Sequence, residues 1–284
     1  MLKTRIVTAG VLLAGLLAAL FFLPSLAWVV LCALICALAA WEWGALAGWG
    51  ERARIVYGIV LGCLCLGLGL FQQFPGFLQQ ALVGTIFSLL LLAGLFWLLL
   101  VPLWLWRKWS LCSRTAAPVG FVVLVPPMLV FMGLRDLFNP LTLLAVCALV
   151  WVADIAAYFS GRAFGGKKLA PTISPGKTWA GAIGAVIGVW VYCNAILLSL
   201  GWFNALPMLL FQPLFIVLAA WSIIGDLFES LLKRQAGVKD SSNLLPGHGG
   251  ILDRVDSLTS TLALVGFVAC LVIVLFSFSL SSHP

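Results

Sequence analysis

Asp226, Glu229, Ser230 and Lys233 follow one another at intervals that place all four on one face of a helix. They close an otherwise apolar run, where ionisable groups are costly unless they face a polar cavity or each other. Lys233 and Arg234 have stems long enough to carry their charge back to water. Asp226 does not, so its carboxylate needs a local reason to be there. Five of the nine acidic residues lie between Asp226 and Asp256, so the reason is sought in that stretch.

The chain continues as Lys233-Arg234-Gln235-Ala236-Gly237-Val238-Lys239-Asp240, and then as Leu245-Pro246-Gly247-His248-Gly249-Gly250-Ile251-Leu252-Asp253-Arg254-Val255-Asp256. Glycines at this density permit positive φ and close backbone approach. Backbone amides in such a turn can cradle phosphate oxygens, and Lys233, Arg234, Lys239 and Arg254 supply the charge a triphosphate needs. Asp253 and Asp256 stand three apart where the next apolar run begins. Carboxylates so placed suit Mg²⁺, which takes one or two carboxylates plus substrate phosphates. Capping the helix is the plainer role for them, but a cap requires one such residue, not two flanking an arginine.

His248 is one of two histidines, the other being His283 in the tail. In a glycine-rich turn it is a candidate base, phosphate donor or structural hydrogen-bonder. A phosphate nucleophile is already ionised at neutral pH, which favours the second and third roles. Pro175-Gly176-Lys177-Thr178 imitates the end of a phosphate-binding P-loop, but the first glycine of that motif would fall at Pro171 and no strand precedes it. Lys177 remains a candidate phosphate contact on other grounds.

Elements that could hold these residues follow from composition. The chain of 284 residues is 63% hydrophobic and 9% charged, against roughly 25% charged for a soluble domain. Its solvent is therefore lipid, in which only helices and closed barrels satisfy the backbone. Continuous runs such as LVGTIFSLLLLAGLFWLLL lack the alternation of barrel strands. The fold class is all-α, a polytopic membrane bundle. Nine apolar runs reach spanning length, near 5–23, 26–48, 55–74, 80–103, 117–134, 138–160, 178–200, 206–229 and 257–280. Residues 1–134 supply N-terminal helices with little polar chemistry. Residues 135–284 form the catalytic region, with polar loops at 160–178 and 233–256.

Charge gives the orientation. Of sixteen Lys and Arg residues, nine helices with a cytoplasmic N-terminus leave only Arg135 outside, and the other external loops, near Pro24, Pro75 and Gly201, have none. The net charge of +7 thus reflects topology and a phosphate-rich ligand, not nucleic acid. Lys3 and Arg5 ahead of an apolar run imitate a signal peptide, but Phe21-Phe22-Leu23-Pro24 is no small-residue cleavage site, so an uncleaved first helix is expected. All of the eight cysteines but Cys112 fall in apolar runs without zinc-ligand spacing and read as packing residues.

Ser230-x-Leu232-Lys233-Arg234-x4-Lys239-Asp240-x-Ser242-x2-Leu245-Pro246-x-His248-Gly249-Gly250-Ile251-x-Asp253-Arg254 resembles the signature of phosphatidate cytidylyltransferases position by position. Asp154-x3-Tyr158-x2-Gly161-Arg162-x2-Gly165 and Ile173-Ser174-Pro175-x-Lys177-Thr178-Trp179 resemble a second part of that family. The resemblance covers roughly residues 150–257; the N-terminal half is similar only in being apolar helices. Family members commonly carry Glu after the Thr-Trp pair, where this chain has Ala180.

The resemblance implies attack of a phosphatidic acid phosphate on the α-phosphorus of CTP, with pyrophosphate leaving. It implies a catalytic set of Asp226, Lys233, Arg234, Lys239, Asp240, His248, Asp253, Arg254 and Asp256. Nucleotide and phosphate binding would fall to Asp154, Tyr158, Arg162, Ser174, Lys177, Thr178, Ser230, Gly249 and Gly250. Asp226, Asp253 and Asp256 are the expected ligands of Mg²⁺, in two divalent or mixed cation sites, with Asp154 and Asp240 next. The expected partners are CTP, phosphatidic acid and membrane lipid, with a homodimer allowed. The expected place is the bacterial inner (cytoplasmic) membrane, with N-terminus and site cytoplasmic. Another CTP-dependent lipid-activating enzyme is the nearest alternative. A transporter would set its ionisable residues near mid-bilayer rather than at helix ends, and a CDP-alcohol phosphotransferase would show a D-G-x2-A-R run, which is missing.

Overall fold

The computed structural model describes the backbone of residues 2–71, 77–201 and 205–281, and the side chains of residues 6–71, 83–201, 209 and 211–275. The loop near Pro75, the side chains of Lys3 and Arg5, and His283 lie outside the described residues. The helices are α1 (Leu2–Phe22), α2 (Ser25–Leu46), α3 (Glu51–Phe71), α4 (Phe77–Leu95), α5 (Val101–Arg107), α6 (Ser113–Gly133), α7 (Pro140–Phe164), α8 (Trp179–Ser199), α9 (Ala205–Gln235) and α10 (Leu252–Ser281). A π-helical turn, Phe96–Leu100, joins α4 to α5, and another, Leu134–Phe138, prolongs α6. With α4 and α5 taken as one rod, the helices correspond to the apolar runs of the sequence. Among the described residues eight are long and apolar enough to cross a membrane; the described part of the first, Ile6–Phe22, is a shorter apolar helix. The protein is a multi-pass helical membrane bundle.

Helix ends differ from expectation where the polar residues lie. The eighth run was expected to stop near 229, and α9 continues to Gln235; the ninth was expected from 257, and α10 starts at Leu252. Leu, Lys, Arg and Gln are strong helix formers, so nothing stops the helix where lipid ends. The 31 residues of α9 measure about 46 Å at 1.5 Å each, against a hydrocarbon core of about 30 Å. A helix this long either tilts or extends into the interfacial layer, and its charged residues from Asp226 onward all lie in its C-terminal third. The loop at 160–178 is also more ordered than expected. α7 runs through Arg162 to Phe164, and Lys168–Ala170 (β1) pairs antiparallel with Ser174–Thr178 (β2), Lys168 opposite Thr178.

α2 packs on α3 and α6, α7 on α8, and α10 on α9, α6 and α4. Trp28, Trp43, Trp97 and Phe228 are fully buried, and Phe228 stands edge-to-face with both Trp97 and Trp104 at 5.6 Å. Val56, Ile59, Leu99, Phe159 and Ile187 project outward, as lipid contact requires. Beneath the site, Gly225 lets α9 lie directly on α10. A Cβ there would stand 2.7 Å from the Asp256 carbonyl oxygen and strike the Ser260 hydroxyl.

Candidate active site

The polar face read from the spacing at Asp226 exists, and it is the inner face of α9. The Ser230 hydroxyl donates to Asp226 Oδ1 at 3.1 Å. Lys233 Nζ lies 3.2 Å from Glu229 Oε1 and 2.5 Å from Asp253 Oδ1, bridging α9 to α10. Lys177, at the end of β2, reaches from the opposite side and pairs with Asp226 Oδ2 at 2.6 Å. Its ammonium also lies 3.4 Å from the Ile223 carbonyl. The hairpin therefore delivers a lysine to α9, which a P-loop would not do. Asp154 on α7 lies within electrostatic reach of Asp226, Lys177 and Arg254. Asp256 is in reach of Asp226, Lys233 and Asp154. Four elements thus bring Asp154, Lys177, Asp226, Lys233, Asp253 and Asp256 together.

Asp253 has a different setting from the other carboxylates. Its Oδ2 accepts from the Ser241 amide at 2.8 Å, the Ser241 hydroxyl at 2.9 Å and the Gly250 amide at 2.8 Å, while Oδ1 holds Lys233. It does not cap α10; it ties the loop over 241–250 to the helix that follows. Gly249 has φ +79°, and a Cβ on it would stand 2.6 Å from Asp253 Oδ2, so a left-handed, side-chain-free residue is needed there. Asp256 Oδ1 accepts the Ser257 amide at 2.7 Å.

The remaining expected residues form a rim or serve the scaffold. Thr178 accepts the Gly181 amide at 3.1 Å and so caps α8; Ser174 begins β2. Tyr158 and Arg162 sit on an exposed face of α7, with the guanidinium donating to the phenol oxygen at 3.2 Å. Arg234 donates to the Val238 carbonyl at 3.4 Å. Lys239, Asp240 and Arg254 are exposed. The His248 amide donates to the Leu245 carbonyl at 2.9 Å, and its Nδ1 is buried without a hydrogen-bond partner.

The donor set suits Mg²⁺. The carboxylates of Asp154, Asp226 and Asp256, on α7, α9 and α10, are hard oxygen donors within electrostatic reach of one another. Among the described residues no three His, Cys, Asp or Glu side chains stand close enough to enclose a cation by themselves. Asp226, Asp253 and Asp256, the expected Mg²⁺ ligands, therefore do not form a three-carboxylate centre, and Asp253 has its oxygens taken by Lys233, Ser241 and Gly250; a Mg²⁺ ion there would need substrate and water for the rest of its shell.

One residue of the site lies where the sequence reading found little. Glu42 on α2 is fully buried. It accepts from the Ser242 hydroxyl at 2.6 Å, the Ile251 amide at 3.0 Å, the Ser241 hydroxyl at 2.9 Å and the Leu252 amide at 2.7 Å. Thr8 on α1 adds a bond to the Pro246 carbonyl at 3.1 Å. A signal was present: Glu42 is an acidic residue deep in the apolar run 26–48, between Trp41 and Trp43, and an intramembrane carboxylate calls for a partner.

Comparison with known proteins gives the chain a family. The model of a family described as the cytidylyltransferase family matches residues 3–274. A phosphatidate cytidylyltransferase of Pseudomonas aeruginosa is 40% identical, over 92% of this chain and 94% of its own. One of Haemophilus influenzae is 36% identical, over 92% and 96%. One of Thermotoga maritima is 32% identical, over 90% and 92%.

Proposed function

The chain belongs to the cytidylyltransferase family, and from this we propose that it transfers the cytidylyl group of CTP to phosphatidic acid. CDP-diacylglycerol and pyrophosphate are the products, and the enzyme serves phospholipid biosynthesis. The observation that carries the reading is the pair of inter-element ion pairs, Lys177–Asp226 and Lys233–Asp253, set beside a Gly249–Gly250 turn at the ends of α9 and α10.

In the reaction an oxygen of the lipid phosphate attacks the α-phosphorus of CTP. A new P–O bond forms, the bond to the β-phosphate bridge breaks, and its electron pair leaves on pyrophosphate. Little covalent work falls to the protein, so positioning and charge neutralisation are the task. Lys177 and Lys233 bring charge toward the phosphates, and the Gly249–Gly250 turn lies beside them with the Gly250 amide held by Asp253 Oδ2. Arg234, Lys239 and Arg254 form an exposed cationic rim that attracts the triphosphate. Asp226 and Asp256, with Asp154 behind them, would hold Mg²⁺. Asp253 joins them only where Lys233 releases its Oδ1. The cation, when bound, neutralises charge on the leaving pyrophosphate and the attacking oxygen.

The positive-inside pattern supports a cytoplasmic N-terminus and site in the bacterial inner membrane. Phosphatidic acid then enters sideways from the cytoplasmic leaflet, its head group at the depth of Asp226. Purified protein should release pyrophosphate only when CTP, phosphatidic acid and Mg²⁺ are all present. Release that does not depend on phosphatidic acid would sink this reading.

A further inference from the structure

Glu42 lies about 200 residues away in sequence from the groups it touches. It accepts from Ser242, Ile251 and Leu252 and shares the Ser241 proton with Asp253. Two of its donors are the backbone amides of Ile251 and Leu252, the residues between the Gly-Gly turn and Asp253. Gly250 is packed against it so closely that a Cβ would run into both Glu42 oxygens and the Ser241 hydroxyl. Ser241 in turn holds Asp253 Oδ2 through its amide, while its hydroxyl, 2.9 Å from both carboxylates, shares its single proton between them. The turn over 241–252 is therefore wrapped around two carboxylates, Asp253 from its own helix and Glu42 from a helix in the other half of the chain.

We propose that Glu42 is a positioning residue for nucleotide binding: it fixes the 249–252 turn and, through Ser241, the Asp253–Lys233 pair beside which the CTP phosphates bind, and so makes α2 part of the active site. The proposal rests on the cytidylyl-transfer reading above. A carboxylate is suited to this because each oxygen accepts two bonds and neither donates. Glutamine has the same shape but turns one acceptor into a donor. Either the Ile251 or the Leu252 amide then faces an N–H, and a backbone amide, unlike a serine hydroxyl, cannot rotate away. The loss falls on the turn first and reaches the cluster around Asp226 only through Ser241, which stands between Glu42 and Asp253.

The test is Glu42→Gln in detergent-purified protein, with three readouts. Hydrogen exchange of the Ile251 and Leu252 amides should speed up at least tenfold. The KM for CTP should rise at least tenfold while the KM for phosphatidic acid stays within twofold. Glu42→Asp, which keeps the charge on a shorter stem, should recover at least half of that loss on a logarithmic scale. Unchanged exchange, or an unchanged KM for CTP, overturns the proposal. So does an equal loss toward both substrates with a lowered unfolding temperature, which marks a carboxylate that only stabilises the bundle. If the glutamine protein does not fold, Ser242→Ala removes the 2.6 Å bond from the loop side and should give the same CTP-specific defect, smaller in size; its absence overturns the proposal equally. A parent protein inactive with CTP would count against the reaction, while the exchange readout still decides the role of Glu42.

Discussion

Lys233 reaches from α9 to α10 and closes on Asp253 at 2.5 Å, with its side chain 12% exposed and that of Asp253 4%. This is a buried pair, and Glu229 stands 3.2 Å from the same ammonium. Removing the lysine leaves two carboxylates facing each other without a counter-charge. Breaking a buried pair from one side costs about 3–5 kcal/mol. Lys233→Met should therefore lower the unfolding temperature clearly as well as abolish turnover. A Met variant as stable as the parent would show that the pair does not hold α9 to α10.

Lys177 makes the opposite prediction for stability. Its pair with Asp226 is 23% and 31% exposed, and such pairs contribute at most about 1 kcal/mol. Lys177→Met should thus melt within a few degrees of the parent. As a charge held near the phosphates, it should nevertheless lose about 10²–10³-fold in kcat. Thermal unfolding and turnover measured on one preparation separate the two effects, and a Met variant that keeps most of its kcat would remove Lys177 from the site.

These two lysines also show how far the sequence could be read. The face at Asp226, Glu229, Ser230 and Lys233 was legible because helical spacing is local, and so were the apolar runs. Lys177 was legible as a phosphate candidate, but its partner was not, since the hairpin that carries it to α9 is a tertiary arrangement. Glu42 was missed for the same reason. Its donors are Ser241, Ser242, Ile251 and Leu252, and nothing in the spacing of one chain links α2 to that loop. Helix ends were misplaced at 229 and 257 because hydropathy marks where lipid ends, whereas hydrogen bonding and propensity decide where a helix ends.

Nucleotide choice is a direct check on family membership. CTP or dCTP should support turnover, and ATP should not at equal concentration. Comparable pyrophosphate release from ATP would require a different reaction.

Orientation can be checked without activity. Reporter fusions at residues 240 and 284 should report opposite sides of the membrane, because α10 lies between them and is long enough to cross. Signals on one side would mean that α10 does not span.

The two aspartates of α10 have different surroundings. Asp253 has its oxygens occupied by Lys233, Ser241 and Gly250, whereas Asp256 accepts from the Ser257 amide on Oδ1 and lies within electrostatic reach of Asp226 and Asp154. Asparagine at position 253 keeps one acceptor and adds a donor, so it disturbs either the lysine or the turn. Loss of activity alone therefore does not identify a ligand there. The dependence on Mg²⁺ does. Asp256→Asn should cut kcat by orders of magnitude and shift half-saturation to higher Mg²⁺, since a metal-bound charge contributes several kcal/mol in the transition state. Asp253→Asn should also cut turnover. As an anchor it leaves the Mg²⁺ half-saturation where the parent has it, and as a ligand it moves that point as Asp256→Asn does. A Mg²⁺ titration of the two variants side by side decides between these roles. Parental Mg²⁺ dependence in both would refute a cation between α9 and α10.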